Sequence, residues 1–254
     1  MEKYLFKLFL VLPLSLVILH SASAGLINED FNGGLPADAT LYGSASLTAG
    51  EVQLTPPTFS QLGGLSFLDQ DSGAAIGSWS AQFDFRIDQN SSAGADGISL
   101  SFSRLGDVGA VGEEGLSSGI AIGFDTWNNG EVSDNHVSLR FDGALLVELD
   151  VTSFFLLQDG VLRSALITMN NGLLDLSIGG TGLFSHDIAG WSAYAGQFNF
   201  GGRTGGHFSR QVIDNFSAST TAGVSAAVPE PATLALFGLG LAGMGFARKK
   251  RKSV

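Results

Sequence analysis

The stretch WSAQFDFRI, residues 79–87, decides the fold class of this chain. Trp79, Ala81, Phe83, Phe85 and Ile87 are apolar, while Ser80, Gln82, Asp84 and Arg86 between them are polar. A period of two over nine residues gathers every apolar side chain on one face of an extended strand, which a helix would scatter. The polar run 88–94 then reads as a turn and GISLSFS, residues 97–103, as the next strand. The same grammar holds on either side. Residues 27–31 form a short β-like entry, and residues 41–55 alternate about a glycine-containing turn before Pro56-Pro57. Short strands are predicted over 120–124, 137–141, 145–151, 165–169 and 173–178, separated by Asp142-Gly143, Asp159-Gly160, Asn171-Gly172 and Gly179-Gly180, which are hairpin signals. Residues 104–118, glycine-rich and acidic, read as a surface loop, and residues 198–219 as a strand, a glycine loop and a closing strand. With almost no period of 3.6 in the body, the expectation is all-β, an antiparallel two-sheet jelly-roll sandwich.

The two ends carry different signals. Lys3 and Lys7, the apolar run 8–19 and Ala22-Ser23-Ala24 read as a secretory signal peptide over residues 1–24, cleaved to leave Gly25 as the mature start. At the other end Pro229-Glu230-Pro231 precedes an apolar segment, 232–247, and the basic cluster 248–252. Sixteen residues make a helix about 24 Å long, short of the roughly 30 Å hydrocarbon core. Such a tail, with four glycines in it, suits transient membrane association followed by removal. Residues 220–227, small and polar, read as a linker, leaving 25–219 as one β domain. Of the residues in 25–227, six are arginine, none is lysine and 22 are Asp or Glu, a formal charge of −16 that excludes nucleic acid as a partner. The chain has no cysteine, so no disulfide helps the core.

FDTWNNGEVSDNHV, residues 124–137, is the stretch richest in chemistry. A strand delivers Asp125 to a loop dense in side-chain oxygens: Asn128, Asn129, Glu131, Asp134 and Asn135. Hard cations such as Ca²⁺ take six to eight oxygens of this kind; the competing reading is that Asp and Asn serve as turn formers. Enzymatic motifs are missing. There is no cysteine nucleophile, and His136, His186 and His207 stand in no Ser/His/Asp pattern. Gly201-Gly202 and Gly205-Gly206 lack the lysine and helix context of a phosphate loop.

Two families are suggested by these residues. Pro229-Glu230-Pro231, the apolar stretch and the basic end resemble the PEP-CTERM sorting signal of Gram-negative bacteria, over residues 228–254. That resemblance implies an exosortase-type sorting enzyme as partner, export across the inner membrane, and delivery to the cell surface or an exopolysaccharide matrix. Between residues 28 and 219 the chain resembles the L-type, legume-lectin-like proteins with the concanavalin A-like sandwich. The likeness rests on SAQFDF in 80–85, Ala95-Asp96-Gly97-Ile98, FDTWNN in 124–129, Asn135-His136-Val137, Arg203-Thr204-Gly205-Gly206 and Ile213-Asp214-Asn215.

The lectin resemblance implies a calcium-dependent carbohydrate site. Asp125 would be a calcium carboxylate, Trp127 a backbone-carbonyl ligand with its ring against a sugar face, and Asn129 a ligand to both. Asp96, joined to Ala95 by a cis peptide bond, would accept hydrogen bonds from vicinal hydroxyls, and backbone N–H groups of Gly205 and Gly206 would complete the pocket. Glu131, Asp134 and Asn135 each could supply the last calcium oxygen, and Asp134 is favoured. Gly123 stands where two-metal legume proteins carry a glutamate, so a Mn²⁺ site is not supported, and His136 is read as a strand-edge histidine. Related sandwiches include glucanases, but the strand here lacks both glutamates of their E-x-D-x-x-E spacing. The expected function is therefore an exported calcium-dependent carbohydrate-binding protein whose partner is a glycan or exopolysaccharide. The alternative is a structural matrix protein that keeps the fold without sugar binding; a glucanase-type hydrolase is least favoured.

Overall fold

The computed structural model describes residues 25–89 and 94–223, so the signal peptide, the sorting tail and residues 224–227 of the linker lie outside the described residues. Fifteen strands follow one another in this region: β1 (Leu26–Glu29), β2 (Ala39–Gly43), β3 (Ser46–Thr48), β4 (Glu51–Thr55), β5 (Leu62–Phe67), β6 (Ile76–Ile87), β7 (Gly97–Arg104), β8 (Ile120–Asp125), β9 (His136–Phe141), β10 (Ala144–Asp150), β11 (Arg163–Asn170), β12 (Leu173–Ile178), β13 (Thr181–Asp187), β14 (Gly196–Arg203) and β15 (Gln211–Ala222). They build two antiparallel sheets. One runs β13-β12-β11-β6-β15-β4-β3, with β1 paired to β15; the other runs β10-β9-β8-β7-β14-β5-β2.

The alternation at residues 79–87 becomes the centre of the first sheet. β6 pairs with β11 on one side and β15 on the other, and its Trp79, Ala81, Phe83, Phe85 and Ile87 are buried against the second sheet. Phe83 meets Phe200 at 4.9 Å and Phe124 at 5.8 Å between ring centroids, both edge-on, and Phe216 packs on Phe67, Phe198 and Phe200. Each fully buried phenylalanine contributes about 1.5–3 kcal/mol; with no disulfide, this aromatic layer carries the domain. Three of the four hairpin signals form turns with both central residues at positive φ: Asp142-Gly143 (46° and 80°), Asn171-Gly172 (48° and 105°) and Gly179-Gly180 (58° and 79°), the mirror-image turns whose twist matches that of the strands. The fourth, Asp159-Gly160, closes no hairpin: it lies on the connection from β10 to β11, which belong to different sheets. All six arginines in the described residues are ion-paired, at Glu51, Asp142, Glu114, Asp159, Asp96 and Glu51 respectively for Arg86, Arg104, Arg140, Arg163, Arg203 and Arg210.

Three local expectations are corrected. β5 and β13 are strands that the pattern did not reveal, and β15 continues through Thr220–Ala222, into the presumed linker. Residues 104–118 form a surface loop as expected, but one packed down on the sheet. After β7 the chain turns back across the outer face of its own sheet, where Ser99 Oγ donates to the Gly112 carbonyl at 2.7 Å and Ser101 Oγ accepts from Leu116 N at 3.0 Å. This covering explains why every residue of β8 is buried, not only Ile120, Ile122 and Phe124. It also explains Gly123, because a Cβ there would lie 2.6 Å from the Glu113 carbonyl oxygen and 2.6 Å from Ser138 Oγ. Overpacking of this kind typically costs about 1–3 kcal/mol. Gly123→Ala is expected to lower stability by that amount in denaturant unfolding with the m-value unchanged; a neutral substitution would show that the loop sits less tightly.

Candidate functional site

Four neighbouring strands deliver the chemistry to one end of the second sheet. Gly97 of β7 pairs with Asp125 of β8 and with Arg203 of β14, and Asp125 pairs with His136 of β9, so Asp96, Asp125, Arg203 and His136 lie along one edge. The Ala95–Asp96 bond is cis, as expected. Backbone contacts fix Asp96 from both sides: its N–H donates to the Arg203 carbonyl at 2.8 Å, and its carbonyl accepts from Thr126 N at 2.7 Å and Thr126 Oγ1 at 3.0 Å. Gln211 Nε2 ties the same turn to its neighbour through the Ala95 and Arg203 carbonyls at 3.1 and 2.8 Å.

Asp96, Trp127, Asn129, Gly205 and Gly206, five residues up to 110 positions apart, line one cleft of about 480 Å³. Arg203, Thr204 and residues 60–62 complete its lining. The size lies within the usual range of small-ligand sites. Gly205 has a steric reason: a Cβ there would stand 3.2 Å from Asp96 Oδ2. Its N–H does not serve as expected, however, because it donates to the His207 carbonyl at 3.1 Å within its own loop. Trp127 is half-buried, and one face of its indole stacks on His207 at 4.7 Å and 27°, so only the other face is left for a ligand.

The sequence missed an ion triad. Arg203 Nε lies 2.7 Å from Asp96 Oδ2, and Arg203 Nη2 lies 2.6 Å from Glu113 Oε1. Glu113 comes from the loop laid over β8, is 4% exposed, and has no hydrogen-bond partner for Oε2. Burial raises the pKa of both Asp96 and Glu113 above the usual carboxylate range, and the Arg203 charge only partly offsets this. Arg203 therefore takes one of the two oxygens that Asp96 could offer a ligand. One available signal was charge: with 22 acidic residues and six arginines in the body, an arginine directly before Thr204-Gly205-Gly206 is placed to pair with an acidic residue of the site.

The oxygens expected to hold a metal divide between two places. Asp125, 4% exposed, accepts from Trp127 N at 2.7 Å and has His136 Nε2 3.9 Å from Oδ2. His136 is more than a strand-edge residue: it is buried, its Nδ1 donates to the Ser133 carbonyl at 2.8 Å, and Nε2 also lies 3.8 Å from Glu148. Glu131 Oε2 accepts from the Asn129 N–H. Asp134 is exposed and lines a second cleft of about 500 Å³ on the other flank of Trp127, with Asn128, Leu156, Gln89 and Gln158. The Asn135 amide is already engaged, donating to the Phe155 carbonyl at 2.8 Å and accepting from Leu157 N at 2.7 Å. Among the described residues no three His, Asp or Glu side chains come together as a metal centre. Asp125 nonetheless fits a cation. Burial, followed by the negative charges of Glu113, Glu131 and Asp96, pushes its carboxyl up to about 8, against a single N–H that lowers it. A buried carboxylate in that company is short of positive charge, and a hard cation supplies it.

The legume-like lectin family model matches residues 19–147, and the PEP-CTERM protein-sorting motif matches residues 227–252. No curated protein sequence matches the chain. Among solved structures, the VIP36 exoplasmic/lumenal domain in its Ca²⁺- and mannose-bound form superposes with a TM-score of 0.61 at 18% identity, covering 76% of this chain and 88% of that one. Basic winged bean lectin with Tn-antigen gives a TM-score of 0.64 at 17% identity, covering 79% and 100%. The lectin from Bauhinia forficata in complex with GalNAc gives 0.60 at 19%, covering 79% and 99%.

Proposed function

Since the chain belongs to the legume-like lectin family, we propose that it is an exported, calcium-dependent carbohydrate-binding protein. Membership of that family makes it a protein of carbohydrate-binding type and not an enzyme, and the sorting motif at 227–252 marks it for export and processing at the cell envelope. The observation that carries the finer reading is the single cleft lined by Asp96, Trp127, Asn129, Gly205 and Gly206. Such a set suits a neutral, hydroxyl-rich ligand. Asp96 accepts from a sugar hydroxyl, the free face of Trp127 meets the C–H face of the ring, and the Asn129 amide both donates and accepts.

Calcium would be held by Asp125, the Trp127 carbonyl and Asn129, with Asp134 brought in from the neighbouring cleft, and when bound it would supply the positive charge that Asp125 lacks. Mn²⁺ forms no part of this reading, because the place of a glutamate at position 123 is filled by the backbone of Glu113. The partner is a surface glycan or matrix exopolysaccharide, reached after an exosortase-type enzyme has removed a tail associated with the membrane through 232–247.

One observation favours a second reading, in which the sandwich is structural and binds no sugar: Arg203 already occupies one oxygen of Asp96 at 2.7 Å. A glycan array with and without calcium separates the two. Under the first reading, EDTA and Asp96→Ala each lower glycan retention at least tenfold while the fold survives; under the second, neither changes attachment to the matrix.

A further inference from the structure

The first residue of the body is buried in an unusual setting. Gly25 N lies 3.0 Å from Asp71 Oδ1 and 2.9 Å from Thr220 Oγ1, and the Thr220 hydroxyl itself donates to Asp71 Oδ1 at 2.7 Å. The return contact, Thr220 N to the Gly25 carbonyl at 3.1 Å, locks Gly25 against β15. Asp71 and Thr220 are each 4% exposed. None of the ion pairs among the described residues includes Asp71. A buried carboxylate held by neutral donors alone is costly unless a cation reaches it. Only glycine fits at position 25, since a Cβ would stand 2.7 Å from Gln70 Cβ and 2.9 Å from Asp71 Oδ1.

A peptide N–H has one hydrogen, whereas two acceptors face Gly25 N. An ammonium group has three hydrogens and a positive charge, which matches both acceptors and supplies the missing cation. Ala22-Ser23-Ala24 immediately before it is the small-residue pattern after which a signal peptide is cut. We propose that cleavage after Ala24 completes the fold by placing the new α-ammonium of Gly25 on Asp71. Water adds its hydroxyl to the Ala24 carbonyl carbon as the Ala24–Gly25 bond breaks, Gly25 N takes the remaining hydrogen, and a solvent proton then charges the amine. The precursor lacks this pair and is the less stable form, as suits a chain that crosses a membrane unfolded. The inference does not depend on what the cleft binds.

The test compares the exported protein beginning at Gly25 with one that retains residues 22–24, both with the same C-terminus. The extension raises the unfolding equilibrium constant at pH 7 at least tenfold, and acetylation of the Gly25 amine, which removes the charge with little added bulk, reproduces the effect. In an Asp71→Asn background both changes fall below twofold. Equal stability of the extended and mature proteins, an equal loss in the Asp71→Asn background, or N-terminal sequencing that starts elsewhere than Gly25 overturns the proposal.

Discussion

In EDTA the protein melts at a higher temperature at pH 5 than at pH 8, and saturating calcium abolishes that difference. The reasoning starts from Asp125, whose folded-state pKa of about 8 stands above an ordinary value of 3.8. Between those two values the folded state holds a proton that the unfolded chain has released, so stability falls as pH rises. At about 1.4 kcal/mol per unit, ionised Asp125 costs the metal-free protein on the order of 5 kcal/mol by pH 8, or roughly 10 °C for a domain of this size. Calcium replaces the proton as the compensating charge, and a hundredfold excess over its Kd adds about 2.7 kcal/mol on its own. Asp125→Asn, neutral at every pH, is expected to lose most of the pH dependence in EDTA, keeping only the smaller part due to the raised carboxyls of Asp96 and Glu113, and to show no calcium shift. A flat melting profile in EDTA, or a calcium shift that survives in Asp125→Asn, would refute the assignment.

Arg203→Leu is expected to cost about 3 kcal/mol at pH 7, near the lower end for breaking a buried pair because the arginine itself is 43% exposed. The loss comes from what remains: Glu113, buried, with neither oxygen compensated. Its folded pKa, already raised by burial, rises further once the guanidinium is gone. A carboxyl raised in this way destabilises above its unfolded value and ceases to do so below it, so the gap between variant and parent closes as pH falls towards about 4. The double variant Arg203→Leu/Glu113→Gln recovers most of the loss. Equal stability of Arg203→Leu and the parent at pH 7, or a loss independent of pH, would show that the triad is ornamental.

Much of the sandwich was legible because its strands announce their exposed and buried faces locally. Residues 79–87 alternate without a fault, and Asp142-Gly143 and Asn171-Gly172 have few other uses between such runs. β5 was invisible because Gly63 and Gly64 remove the alternation, and their reason is distant: a Cβ on Gly64 would meet the Gly109 carbonyl at 2.3 Å. The packing of the loop over β8 was hidden for the same cause, since only the folded sheet shows that Ser99 and Ser101 await it. In the site, the motifs around Asp96, Trp127 and Gly205 could be read singly and converge on one cleft. Glu113, His207 and residues 60–62 could not, because each owes its place to partners far along the chain.

The pairing of every arginine has a consequence for range. Six guanidinium groups are tied to carboxylates, and of the 22 acidic residues set against them all but the buried Asp71, Asp96, Glu113 and Asp125 face solution at least in part. At physiological ionic strength their field reaches about 8 Å before salt screens it. An acidic polymer approaching the domain is repelled until divalent ions condense between the two surfaces, whereas a neutral glycan meets no such barrier. Adhesion to a charged matrix would therefore strengthen with ionic strength, the reverse of what a basic adhesin shows.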